Sequence, residues 1–151
     1  MLPEILIKKI NFEIQEIDRL LEKAEPLLLL CQSKIPDFIE LMALGSILHS
    51  FYNGIEILFI MIAREIDQKF PDGNKWHKKL LDQMKASQIR NQIISDESIK
   101  TLNEYLLFRH FFRHNYSFRL KWEEMKELVF DIQNVWNRLK KEIKKFIEIQ
   151  N

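Results

Sequence analysis

A chain of 151 residues with 46% apolar residues is long enough for one core and short of the size at which chains usually divide, so a single domain over residues 1–151 is expected. Its 11 Phe, 3 Trp and 3 Tyr supply bulk for that core, while only 3 Gly and 4 Pro leave few places where a helix must stop. A net charge of +1 excludes a global electrostatic attraction to nucleic acid, so any such role must rest on where the charge sits.

Ile7, Ile10, Ile14, Ile17, Leu21 and Ala24 step by three or four, the period of one helix face, and predict a first helix from Glu4 to Leu30. This N-terminal stretch lacks a basic, hydrophobic, then cleavable pattern, and no window of the chain approaches ~18 uninterrupted apolar residues. A cytoplasmic protein with no membrane partner is therefore expected. Cys31 stands alone, which rules out an intramolecular disulfide framework and reads as a core thiol. Ser33 to Pro36 breaks the pattern.

Leu44, Leu48, Phe51, Ile55, Leu58 and Ile62 then mark a second, heavily buried helix running to Phe70. Gly45 and Gly54 inside it each cost about 1 kcal/mol relative to Ala and predict close helix contacts. Pro71-Asp72-Gly73-Asn74 carries turn chemistry, and a shorter helix is expected from Trp76 to about Ser87. Gln88 to Ser95 reads as a polar loop, after which Ser95-Asp96 caps a fourth helix through Ile99, Leu102 and Leu106. The last helix starts near Trp122 and carries Met125, Leu128, Ile132, Val135, Leu139, Ile143 and Phe146 on one face. With no two-residue alternation, the pattern is all-α, an antiparallel bundle of four to five helices.

On a regular fourth helix, Ile99, Leu102, Leu106, Arg109, Arg113 and Tyr116 share a face, so two arginines continue an apolar stripe. A buried guanidinium is costly unless paired, which makes this face a candidate interface or cleft. Between Glu104 and Glu123 the chain has Arg109, Arg113, Arg119 and Lys121 with no acid, interleaved with His110, His114 and aromatics, a local site for anionic phosphate. The competing structural reading is that these cations complement the helix dipole at a C-terminus. His49 and His77 read as ordinary packed or solvated histidines. His110 and His114, four apart, lack a third ligand of clear spacing, so no metal is assigned. No glycine-rich phosphate loop and no strand-turn-helix context for a serine nucleophile are present.

The run Arg109-His110-Phe111-Phe112-Arg113-His114-Asn115-Tyr116 resembles the Arg-x-x-x-x-His-x-Tyr form of the HEPN signature typical of HepT toxins. The stretch from Leu48-His49-Ser50-Phe51-Tyr52-Asn53-Gly54-Ile55-Glu56 to Pro71-Asp72-Gly73-Asn74-Lys75-Trp76-His77 resembles the long-helix and turn region of HepT-like proteins. The resemblance implies a HEPN-like bundle that forms a homodimer, a metal-independent endoribonuclease needing no cofactor, with Arg109 and His114 as catalytic pair. It further implies that His110, Arg113 and Arg119 support or bind RNA phosphate, and that a cognate nucleotidyltransferase antitoxin adds AMP to Tyr116. His110 departs from the Asn or Asp often found after the motif arginine. Five residues on a helix put Arg109 and His114 about 140° apart. Either the helix loosens near Arg113 to Asn115, or each site draws Arg and His from different subunits. Two other functions stay open: a non-catalytic helical adaptor that docks a nucleotidyltransferase, and a purely structural bundle.

Overall fold

The computed structural model describes residues 2–150, and among them every regular element is helical. Helix α1 spans Glu4–Leu30 and buries Leu6, Ile10, Ile14, Ile17, Leu21 and Ala24; Leu6 rather than Ile7 opens the buried stripe. Cys31 follows it into the core, where burial pushes its thiol pKa up. Helix α2, Phe38–Ile62, is started by a reciprocal cap: Asp37 Oδ1 accepts from the Glu40 N–H at 2.8 Å, and Glu40 Oε1 accepts from the Asp37 N–H at 2.9 Å.

Helix α2 is the centre of the bundle, with α1, α3, α4 and α5 all packed on it. By length and composition the segment Phe38–Asp67 is apolar enough to cross a membrane, and half of its most apolar window is buried inside the bundle. The expected run to Phe70 is cut short. The helix widens into a π-turn over Ala63–Asp67, Gln68 takes a left-handed conformation at φ 53°, and the Lys69 N–H closes on the Ala63 carbonyl at 3.0 Å.

Helix α3 covers Trp76–Gln83, also shorter than expected. Its terminal carbonyls are taken by the loop that follows: Arg90 donates to the Gln83 and Lys85 carbonyls at 2.6 and 2.7 Å, and the Ile93 N–H to that of Met84 at 3.0 Å. Arg90 also holds Asp67 through both carboxylate oxygens at 2.6 and 2.9 Å, pinning the expected loop to the end of α2. Helix α4, Asp96–His114, is capped by Ser95 Oγ, which accepts from the Ser98 N–H at 3.1 Å. A 3₁₀ turn at Ser117–Arg119 leads into α5, Trp122–Gln150. One continuous core joins Leu6 at one end of the chain to Ile147 at the other.

Candidate active site on helix α4

The register of α4 is set by close approach to α2. A Cβ on Gly45 would lie 2.7 Å from Phe112 Cε1 and 3.1 Å from Leu120 Cδ1, so a glycine there lets the end of α4 and the turn after it press onto α2 without displacing those side chains. Gly54 plays the same part toward α1, where a Cβ would meet Ile17 Cγ1 at 2.8 Å. With that spacing fixed, Arg109 comes to rest beside the middle of α2.

Arg109 is 8% exposed. Its Nε donates to Asn53 Oδ1 at 2.8 Å, and its Nη2 lies 3.9 Å from Glu56 Oε1. The other oxygen of Glu56 accepts from His77 Nδ1 at 2.7 Å. Asn53 Nδ2 in turn lies 3.4 Å from His49 Nδ1. The buried guanidinium is thus compensated within the chain by a carboxylate and an amide oxygen, with an imidazole at each end of the polar run. Desolvation, followed by the fields of Arg109 and Arg113, holds the His49 imidazole below its ordinary pKa. Burial pushes the Tyr52 hydroxyl, one helical turn before Glu56, in the opposite direction.

The rest of the motif lies elsewhere on the helix. Arg113 is exposed rather than continuing the buried stripe, and the stripe instead includes Ser98, Tyr105 and Phe108. His110 and His114 lie on the open side with ring centroids 4.5 Å apart. The helix stays regular through His114, so within the stretch from Arg113 to Asn115 where loosening was one alternative only Asn115 departs from it, and Arg109 and His114 stay about 140° apart around the helix. Asn115 then leaves the helix at φ −133° while its Nδ2 donates back to the Phe111 carbonyl at 3.0 Å. Tyr116 consequently sits past the helix end, 77% exposed, and not on the Arg109 face where an unbroken helix would carry it. Arg119 lies on the same exposed turn.

Residues 43–150 match a family model described as HepT-like protein. The chain belongs to the HepT-like family. No curated protein and no solved structure matches it. In this HepT-like protein both stretches that carried the resemblance lie within the matched region, and they meet at one point: Asn53 and Glu56 from the first, with His77 from its continuation, surround Arg109 from the second. The polar partners His49, Asn53 and Glu56 were missed as functional candidates although a signal existed. They recur at helix-face spacing on a helix that is otherwise apolar on that side.

A cavity of about 740 Å³ lies between α4 and α5, on the side of α4 away from Arg109. Leu107, Phe111 and Leu128 line it alongside Glu104, Glu124 and Asp131, a sign of charge unsuited to phosphate. The segment without acids is instead the end of α4 and the turn after it, where Arg113 and His114 occupy the last helical turn and complement its dipole. Among the described residues no group of three or more His, Cys, Asp or Glu is gathered as a metal site.

Proposed function

We propose that this protein is the toxin of a toxin-antitoxin pair, an endoribonuclease that cuts RNA without a metal through Arg109 and His114. The observation that carries the reading is the uninterrupted Arg109-x-x-x-x-His114-x-Tyr116 at the end of a helix in a HepT-like chain, in a segment that exposes His110, Arg113, His114 and Arg119 and has no acid from Tyr105 to Trp122. In the reaction the 2′-hydroxyl oxygen attacks the adjacent phosphorus and the 5′-oxygen leaves. His114 takes the 2′-hydroxyl proton or protonates the leaving oxygen, water carrying the other of these two protons, and Arg109 offsets the charge of the phosphorane. His110, Arg113 and Arg119 hold the flanking phosphates.

Because α4 is regular through His114, Arg109 and His114 point about 140° apart and do not serve one phosphate from the same helix. The reading therefore includes a homodimer in which a two-fold brings Arg109 of one protomer near His114 of the other. Regulation by a nucleotidyltransferase antitoxin fits the exposure of Tyr116, whose hydroxyl is accessible to a second enzyme. An AMP there adds a phosphate to the segment that carries Arg113 and Arg119 and competes for the charge that would otherwise hold RNA.

A second reading, a non-catalytic adaptor for a nucleotidyltransferase, is favoured by one observation: the Arg109 guanidinium is already engaged by Asn53 and Glu56. Expression of wild type beside His114→Ala, scored for growth and for RNA integrity, separates the two. The ribonuclease arrests growth and degrades RNA in wild type only. An adaptor leaves RNA intact in both.

A further inference from the structure

The proposed catalytic groups account for phosphate and proton transfer, but not for the two aromatic rings beside them that face water. Tyr116 and Phe118 are 77% and 64% exposed, which is costly for two large rings unless something covers them. They are nearly parallel, with an interplanar angle of 14° and centroids 5.5 Å apart. The Arg119 guanidinium carbon stands 5.4 Å from the Phe118 ring centre. Tyr116, Phe118 and Arg119 thus form a short tier of flat π-faces and a cation, directly after His114.

The tier is held in place from both ends. Asn115 ties the chain back to α4 through the Phe111 carbonyl. The Arg119 N–H donates to the Tyr116 carbonyl at 2.9 Å and the Leu120 N–H to that of Ser117 at 3.1 Å, closing the 3₁₀ turn. Leu120 is buried against Gly45 of α2. The rings and the guanidinium are exposed on a backbone held by these hydrogen bonds, so a flat ligand would find them pre-oriented.

We infer that Tyr116, Phe118 and Arg119 form a stacking platform for an unpaired nucleobase of the RNA, placed next to the proposed cleavage groups. Aromatic faces with an arginine are what single-stranded nucleic acid stacks on, whereas a base inside a duplex already has both faces covered and has nothing to offer the tier. The absence of any acid from Tyr105 to Trp122 leaves the approach open to the backbone on either side of that base. The platform makes the protein selective for RNA with an unstacked base beside the scissile phosphate. Phe118 is the specificity residue, because Tyr116 is also the proposed modification site.

This inference rests on the ribonuclease reading only for its consequence at the scissile bond, so binding and cleavage are measured separately. Fluorescence anisotropy at fixed salt is recorded with an uncleavable 2′-O-methyl RNA 12-mer, its duplex, and the same strand with abasic positions, for wild type, Phe118→Ala and Phe118→Trp, each checked for helicity and particle mass. Phe118→Ala should weaken binding of the intact single strand about tenfold, leave duplex and abasic strands unchanged, and be rescued by Phe118→Trp. Equal losses on all three nucleic acids, no loss, no single-strand binding by wild type, or a change of particle mass that reassigns Phe118 to a protein contact each overturns the platform. Cleavage of the unmodified strand by wild type is then scored independently. Base-dependent binding without cutting removes the ribonuclease and keeps the platform; cutting unaffected by Phe118→Ala removes the platform and keeps the ribonuclease.

Discussion

Taking the Arg109 guanidinium out of water is unfavourable by several kcal/mol unless charge and hydrogen bonds replace the lost hydration, and Glu56 with Asn53 supply both. Glu56→Ala leaves that cation buried and uncompensated. Urea denaturation should show a loss of about 3 kcal/mol, and the double variant Glu56→Ala with Arg109→Met should recover most of it. A double variant as unstable as the single one would mean that Glu56 stabilises the fold through His77 alone. A pH effect follows from His49. Its pKa is lowered in the fold, so the unfolded chain binds its proton first, and stability present above about pH 6.5 is lost as pH falls below that value. His49→Gln should flatten the decline in melting temperature between pH 6.5 and 5 relative to wild type. That Arg109 continues an apolar stripe was legible in the sequence, but its counter-charge was not, and Arg113, expected on the same stripe, is exposed. Periodicity places residues on a face without saying which partner element supplies the counter-charge, and the polar residues of α2 were passed over in what read as a heavily buried helix.

At the scale of elements, α2 and α4 approach closely because Gly45 has no side chain where Phe112 and Leu120 sit. Gly45→Val gains helix propensity but drives branched carbons into the Phe112 ring, and overpacking of that kind costs about 2 kcal/mol. Thermal unfolding should therefore show a lower Tm, with near-wild-type far-UV circular dichroism at low temperature. A variant as stable as wild type would show that the end of α4 moves freely on α2. Both glycines were read correctly as contact points, since a glycine inside a long apolar helix is disfavoured unless close approach requires it. The ends of α2 and α3 were misjudged. Their stops depend on long-range partners, the left-handed Gln68 with its Lys69 closure and the Arg90 side chain reaching the carbonyls of α3. Arg90 looked like one more polar residue in a loop, yet it is among the most buried charges in the structure and pairs with Asp67 across 23 residues.

For the whole molecule, the all-helical bundle followed from composition and from a helical period in four stretches, and the helix starts at Glu4, Trp76, Asp96 and Trp122 were readable because caps and breakers are local. The site is less local. One surface of α4 faces α2 and carries Arg109, another faces out and carries His110 and His114, and the turn beyond presents Tyr116 and Phe118. Within one chain these do not converge on a phosphate, so the proposed chemistry requires a second copy. The most direct test is complementation of RNA cleavage in excess chelator, using His114→Ala, Arg109→Gln and a 1:1 mixture of the two after subunit exchange. The two-fold composite site predicts that each variant alone falls at least about a hundredfold, the scale of lost acid–base and electrostatic catalysis. It also predicts that the mixture regains about a quarter of wild-type activity, because half of the dimers carry one intact site of two. Variants that cut like wild type, or a mixture no more active than its components, would contradict it.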